Sequence, residues 1–74
     1  MQICSWYSAT DTVVRNFFFG SAKYKGTLNH NDKAILAVEG PSILGGVLVR
    51  EGQILCLHAE KLSVREQLSQ KASG

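Results

Sequence analysis

Apolar residues dominate one stretch in the second half of the chain, and their pattern predicts a β-hairpin. Two β-branched, leucine-rich runs at residues 47–49 and 54–57 flank the polar triplet Arg50, Glu51 and Gly52. Glycine adopts a positive φ without steric cost, so Gly52 is expected in the turn. We interpret this hairpin as the nucleus of a sheet, with one charged pair at its tip.

Two more strands are predicted before the hairpin from β-prone residues. Residues 13–19 (VVRNFFF) form the first, and residues 20–22 turn the chain into a second at residues 23–28 (KYKGTL), which has one core face and one solvated face. A glycine in mid-strand is destabilising unless the backbone bends or another backbone comes close. Gly26 therefore predicts strong curvature, as in a small barrel.

Turn residues set the limits of a third strand and of the N-terminal segment. Residues 29–33 (NHNDK) are a dense turn signal, residues 34–38 (AILAV) a short strand, and residues 39–43 (EGPSI) reverse the chain into the hairpin. Residues 1–7 carry two large rings that need cover, and they predict an edge strand or an arm. Residues 8–12 (SATDT) predict a polar turn, or one helical turn capped by its first serine.

Residues 64–71 are predicted to form a short C-terminal helix. Ser63 and Glu66 match the capping-box pattern S-x-x-E. The apolar stripe of the helix consists of Val64, Leu68 and Ala72. Two turns of helix are not stable alone in water, so the stripe is expected to dock on the sheet or on a partner.

Together these elements predict a mainly β fold. The expected architecture is a strongly bent, five-stranded antiparallel barrel of the SH3 kind with one short C-terminal helix. A chain of 74 residues, 45% of them hydrophobic, leaves room for one small domain. Within it, residues 1–12 would be an N-terminal arm, residues 13–60 the barrel and residues 63–72 the helix.

Composition and missing motifs narrow the class of protein. The net charge of +2 permits contact with nucleic acid without arguing for it. No stretch approaches the roughly 20 apolar residues of a membrane span, and no signal peptide is visible, so a soluble, cytoplasmic or otherwise intracellular protein is expected. Cys4 and Cys56 could form one disulfide at most and are expected as thiols. Without a P-loop, a G-x-S-x-G or a Ser-His-Asp arrangement, neither an enzyme nor a cofactor is expected.

Residues 13–60 resemble the two-part signature of Sm and Sm-like proteins. The first part is matched by Tyr24, Gly26, Leu28 and Asp32. The second part is matched by Val47, Val49, Arg50, Ile54, Leu55 and Leu57. The resemblance implies a small SH3-like barrel that forms rings and binds single-stranded RNA at loops facing the pore.

Some positions depart from that signature. Where the family has an Asn that hydrogen-bonds a uracil edge, this chain has Ile35 or Leu36, and where it often has a stacking aromatic, it has Lys33 or Ala34. The glycine and the acidic residue that follow Arg50 are in reverse order. The candidate nucleic-acid-binding residues are Asn29, His30, Asn31, Asp32, Lys33 and Arg50, of which His30 is able to stack on a base.

The resemblance also implies a homo-oligomeric ring. The strands at residues 47–49 and 54–57 are apolar on both faces, and so apolar a sheet edge is a hazard unless it is paired. In Sm-like proteins the last two strands of neighbouring subunits pair edge to edge. The loops at residues 29–33 and 50–52 would then be repeated around a central pore.

The candidate residues also have interpretations that need no ligand. Arg50 is also expected as an exposed turn residue paired with Glu51 or Asp32. The lysines at positions 23 and 25 are expected on a solvated strand face. The three consecutive phenylalanines at residues 17–19 cannot share one face of a strand, so they are expected in the core or in an interface.

Three side chains able to bind a metal lie at the end of the last predicted strand. Cys56, His58 and Glu60 alternate along the predicted strand, so their side chains would project from one side. A metal site needs these groups in closed geometry together with a fourth ligand or a water. No second ligand cluster is visible in the sequence, so no metal is expected.

Two functions without RNA remain open. The first is a structural or protein-interaction module with the same barrel. The second is a roadblock-like α/β dimerisation domain in which residues 41–57 form the central hairpin. That fold expects a long helix before the hairpin, and the turn-rich residues 26–32 argue against one.

Overall fold

A computed structural model of the chain describes residues 3–73 and contains four strands and two α-helices. A π-helical turn directly follows the first helix. In chain order the elements are β1 (Ile3–Ser8), α1 (Thr12–Asn16), the π turn (Phe17–Ser21), β2 (Lys33–Glu39), β3 (Ser42–Arg50), β4 (Gln53–Ala59) and α2 (Leu62–Ser73). The fold is mainly β. Three of its strands, β2 to β4, lie where the sequence predicted the third strand and the hairpin, although β3 already begins at Ser42, inside the segment predicted as a turn.

The four strands form one open antiparallel sheet in the order β1-β2-β3-β4. The predicted five-stranded SH3-like barrel is therefore wrong: the described part of the chain has four strands, and β1 and β4 lie at opposite edges of the sheet. Closing a barrel requires those two edges to meet. The predicted edge strand at the N-terminus is confirmed from Ile3 onward, while the first two residues of that prediction lie outside the described residues.

The predicted strand at residues 13–19 is wrong, because this segment is helical. Asp11 caps α1: its side-chain Oδ1 accepts a hydrogen bond of 2.9 Å from the backbone N–H of Val13. Val14, Phe17 and Phe18 then share one face at the i, i+3, i+4 spacing of a helix, and all three are buried. Capping and tertiary packing here outweigh the β-propensity of valine and phenylalanine.

The predicted strand at residues 23–28 is also wrong. The segment between the π turn and β2 contains neither helix nor strand. The Tyr24 hydroxyl donates a hydrogen bond of 3.1 Å to the carbonyl of Thr27 and folds the loop back on itself. Gly26 lies under the Tyr24 ring, where a Cβ would overlap the ring atoms. The glycine therefore permits a close approach within a loop and does not mark a curved strand.

Each face of the sheet is covered by a different helical segment. On the first face, α1 and the π turn pack on residues of β2 and β3. This cluster includes Val14, Phe17, Phe18, Ala34, Leu36 and Leu48. On the second face, α2 packs on the alternate residues of the same strands. This cluster includes Ile35, Ala37, Val47, Val64 and Leu68. The two central strands are therefore buried on both sides.

The predicted C-terminal helix is confirmed and is longer than expected. It begins at Leu62, so Ser63 lies inside its first turn. Val64 and Leu68 are buried on the second face and Ala72 packs beside them, as the predicted stripe requires. Among residues 3–73, no helix is both long and apolar enough to cross a membrane.

Both tight turns of the sheet contain residues with positive φ. Gly40 begins the turn between β2 and β3 at φ 59°. Glu51 and Gly52 form the turn between β3 and β4 at φ 50° and 80°, which confirms the turn position predicted for Gly52. Two successive positive φ angles define a type I′ turn, which suits Asn-Gly far better than Glu-Gly.

Replacing the strained glutamate is expected to stabilise the protein. Asparagine tolerates the left-handed region better than glutamate, so Glu51→Asn should raise the free energy of unfolding by about 0.5–1 kcal/mol. Urea denaturation measures the change. Glu51→Gln removes the same charge and keeps the unfavourable backbone preference, so it should leave the midpoint unchanged. A gain in Glu51→Gln equal to that in Glu51→Asn would mean that the charge, not the turn, is responsible.

Candidate nucleic-acid interface

An ion pair between Arg50 and Asp32 organises the loop that carries most of the predicted binding residues. Arg50 donates from Nε to Asp32 Oδ1 and from Nη2 to Asp32 Oδ2, both at 2.8 Å. The Arg50 side chain is 33% exposed, whereas that of Asp32 is 1% exposed. Parallel two-point contact of this kind fixes the orientation of both groups. Arg50 was predicted either to contact nucleic acid or to pair with Glu51 or Asp32, and the structure has the pair with Asp32.

Asp32 connects three parts of the chain through further hydrogen bonds. Its Oδ2 accepts from the backbone N–H of Asn29 at 2.9 Å, and its own N–H donates to the Asn29 carbonyl at 3.0 Å. The backbone N–H of Ala9, just after β1, donates to the Asp32 carbonyl at 3.1 Å. Arg50 also donates from Nη2 to the Thr27 carbonyl at 3.2 Å. The loop before β2 is thereby fixed to the end of β1 and to the end of β3.

The electrostatics of this pair follow from its hydrogen bonds. The Arg50 guanidinium is the main cause that lowers the pKa of Asp32, and the Asn29 N–H contributes, while burial opposes the shift. Reciprocally, the hydrogen bond from Asp32 raises the pKa of Arg50. Both groups are therefore charged at neutral pH. Among the residues described, no buried side-chain nitrogen or oxygen lacks a hydrogen-bond partner.

An open cleft of about 450 Å³ lies between β1 and this loop, and we call it the β1 cleft. Its lining residues are Trp6, Tyr7, Ser8, His30, Asp32 and Lys33. Antiparallel pairing builds it: Trp6 lies opposite Ile35 and Ser8 opposite Lys33, so Trp6, Ser8 and Lys33 share the second face of the sheet. Trp6 is 49% exposed, which is unusual for the largest apolar side chain.

Three of the six predicted binding residues, His30, Asp32 and Lys33, line the β1 cleft. Asn29 and Asn31 are exposed in the same loop but are not part of the cleft wall. Arg50 is held against the loop by Asp32. The sequence reasoning did not include Trp6, Tyr7 and Ser8 in the site, although the two adjacent rings near the N-terminus were the available signal.

The other residues considered for chemistry lie elsewhere. His58 packs its ring on Phe17 with the centroids 5.9 Å apart, and burial raises the pKa of the Cys56 thiol. Glu60 follows the end of β4. Across residues 3–73 no group of three His, Cys, Asp or Glu side chains is arranged to hold a metal ion. Neither cysteine forms a disulfide, because Cys4 and Cys56 lie in the two opposite edge strands.

The phenylalanines at residues 17–19 divide between core and surface. Phe17 and Phe18 are buried and meet edge to face with their centroids 5.1 Å apart. Phe19 is partly exposed and stacks on Tyr24 with the centroids 5.9 Å apart. The expectation of a core or interface position is therefore met in the core by two of the three rings, and an interface position for Phe19 stays a prediction.

Comparison with protein-family models found no match for this chain, and searches of curated proteins and of solved structures found no significant match. The resemblance to Sm-like proteins accordingly stays a prediction.

Proposed function

We propose that the protein is a non-enzymatic binding module that takes single-stranded RNA into the β1 cleft. The observation that carries this proposal is the half-exposed ring of Trp6 in a cleft that also holds the cation of Lys33. Unpaired bases bind proteins mainly by stacking on aromatic rings, and their phosphates bind lysine or arginine. A cleft with one large ring and one cation offers both kinds of contact.

The other lining groups suit the same ligand. The His30 ring is exposed on the loop side of the cleft and provides a second surface for stacking. The Ser8 hydroxyl and the backbone of the loop supply hydrogen-bonding groups for base edges or for the 2′-hydroxyl. Asp32 is not expected to contact the ligand, because both of its carboxylate oxygens accept hydrogen bonds from Arg50.

Arg50 is a positioning residue in this proposal. It shapes the cleft wall through its ion pair with Asp32, and it donates a hydrogen bond to the Thr27 carbonyl. The guanidinium therefore already binds two other residues of the same chain. Substitution of Arg50 would disturb the loop as well as any contact with a phosphate. The sharper tests therefore use Trp6 and Lys33, whose side chains contribute to the cleft without joining the ion pair.

Loss of the Trp6 ring is expected to weaken RNA binding about tenfold. Stacking of one base on an aromatic side chain contributes about 1–3 kcal/mol, and 1.4 kcal/mol corresponds to a factor of ten. Fluorescence anisotropy with a labelled uridine-rich oligonucleotide measures the dissociation constants of the wild type and of Trp6→Ala. Phe19→Ala is the matched control, because Phe19 is also half-exposed and lies outside the β1 cleft.

Titrations at several salt concentrations separate the ring from the charge. Lys33→Ala should weaken binding and reduce the slope of log K against log salt by about 0.7, the value for one phosphate on a single strand. Lys61→Ala, an exposed lysine outside the cleft, should keep the wild-type slope. Absence of binding at low salt, or equal losses in the cleft variants and their controls, would remove the proposal.

The proposed module also associates with itself, as its apolar strands predict. The predicted ring, however, needs a free edge on each of two neighbouring subunits. β3 is paired with β2 on one side and with β4 on the other, so the two edges available to a second molecule are those of β1 and β4. A head-to-tail ring would pair β4 of one subunit with β1 of the next.

A protein-interaction module is the second candidate, and the open edge of β4 favours it. An unpaired edge binds extended segments by adding a strand to the sheet. The roadblock-like dimerisation domain stays open in the same class, although residues 26–32 form a loop and not the long helix which that fold expects. RNA binding that survives Trp6→Ala unchanged would place the RNA outside the β1 cleft, whereas absence of RNA binding at low salt would favour this candidate.

A further inference from the structure

Apart from one register irregularity near its start, the edge of β4 lacks the features that normally prevent edge-to-edge pairing. β4 (Gln53–Ala59) bonds to β3 on one side, and no strand of the described chain covers its other side. Natural edges are protected by charged residues, prolines or short length. The sequence of β4, QILCLHA, contains no lysine, arginine, carboxylate or proline, and at seven residues it is not short.

The apolar side chains of β4 are only partly covered by their own chain. Val47 and Leu48 of the neighbouring strand are fully buried, but Leu57 and Cys56, which lie directly opposite them, are half-buried. Ile54 is 44% exposed. Because Leu57 and Cys56 point to opposite faces, the missing cover is needed on both faces at once. One additional strand with apolar residues on both faces would supply it.

A second copy of β4 fits that requirement better than β1 does. β1 carries serines on both faces, at Ser5 and Ser8. β4 carries Ile54 and Leu57 on the second face, and Leu55 and Cys56 pack toward the first. We infer that two copies of the chain pair through β4, antiparallel and about a two-fold axis, to form a continuous eight-stranded sheet. This inference rests on the self-association in the proposed function, and it adds which edge of the sheet pairs and with which symmetry.

Antiparallel pairing also brings together two exposed apolar residues. In this pairing the C-terminal end of β4 in one copy would lie beside the N-terminal end of β4 in the other. Leu62 closely follows the first of these ends, and Ile54 lies at the second. Leu62 is 70% exposed and starts the helix that covers the second face, the face on which Ile54 lies. A two-fold axis perpendicular to the sheet keeps that face on the same side in both copies, so this contact occurs twice.

The irregular part of β4 does not prevent this pairing. The register between β3 and β4 shifts between Leu48 and Val49, near the turn. From Cys56 to Ala59 the register is regular, and this part of the edge is available to the partner strand. The closed two-fold arrangement uses the same edge on both copies, so it ends at two subunits and does not continue into a filament.

A lysine on each edge tests the inference. Ile54→Lys places a charge on the β4 edge and is expected to raise the dissociation constant of the dimer at least about tenfold. Ile3→Lys makes the same change at a residue of similar exposure, 54%, on the β1 edge, and the dimer should be retained. Sedimentation equilibrium and native mass spectrometry across a dilution series give the subunit number, and circular dichroism confirms that each variant is folded.

The outcomes separate this inference from the proposal before it. A monomeric wild type would remove self-association altogether. A dimer or larger ring lost in Ile3→Lys, or lost equally in both variants, would keep self-association and overturn β4–β4 pairing, as would an assembly that neither variant disrupts. Should Ile54→Lys fail to fold, Leu62→Lys applies the same test at an exposed helix residue. RNA binding by the β1 cleft is measured independently of all these results.

Discussion

Gly46→Ala is expected to lower the free energy of unfolding by about 2 kcal/mol, although it adds one methyl group. A Cβ at this position would lie 2.8 Å from Leu36 Cδ2 and from Phe17 Cε2, and 3.1 Å from Phe18 Cζ. These three side chains are buried, so they have little room to move. The overlap should outweigh the entropy that alanine saves in the unfolded chain.

A matched substitution separates the clash from the loss of a glycine. Gly20→Ala adds a methyl group in the π turn with nothing within 4 Å, and it should leave stability unchanged or raise it by up to about 1 kcal/mol. Leu36→Val shortens one of the two side chains nearest to Gly46, so the double variant should be less destabilised than the sum of the single ones. Thermal or urea denaturation of the four proteins measures this coupling. A Gly46→Ala protein as stable as the wild type would contradict the packing described for the first face.

Asp32→Ala is expected to cost a similar amount, about 2 kcal/mol, because it leaves the Asn29 N–H without its acceptor and Arg50 without its counter-ion. Arg50 is partly exposed and can regain water, which keeps the cost below that of a fully buried pair. Glu39→Gln, which alters an exposed carboxylate at the end of β2, should change stability by less than about 0.5 kcal/mol. Urea denaturation at neutral pH measures both.

The pH dependence gives the same pair an independent test. The pKa of Asp32 is lower in the folded state than its ordinary value of 3.8. Its contribution is therefore present above that ordinary value and is lost as the pH falls through the lowered pKa of the folded state. The difference in stability between the wild type and Asp32→Ala should be constant near neutral pH and shrink in strong acid. A difference that is independent of pH would show that the carboxylate charge is not involved.

The part of the fold with short connections could be predicted from sequence. β2, β3, β4 and α2 were located by apolar, β-branched runs, by turn residues and by an apolar helical stripe, which are local signals. The segment at residues 13–19 was not, because valine and phenylalanine favour strands and their helical spacing is only three positions long. In the structure Asp11 caps the helix, and the packing of Phe17 and Phe18 on the sheet favours it over a strand.

The candidate site could be predicted only in part, for a related reason. Arg50 was expected to pair with Glu51 or Asp32, and no sequence signal chose between the two. The β1 cleft depends on the register that sets Ser8 opposite Lys33 and Trp6 opposite Ile35. When a long segment separates two strands, their register depends on tertiary packing, and no local sequence pattern specifies it. Trp6 therefore could not be connected with His30 before the pairing was known.

The strand order has a consequence for the kinetics of folding. β2, β3 and β4 are joined by two-residue turns, so their pairing closes short loops and forms on the microsecond scale of hairpins. β1 reaches β2 only across residues 9–32, which must first compact around the phenylalanines. We therefore expect the three-strand meander to form first and β1 to dock last. Since β1 forms one wall of the β1 cleft, the proposed RNA binding would appear only at the final step of folding.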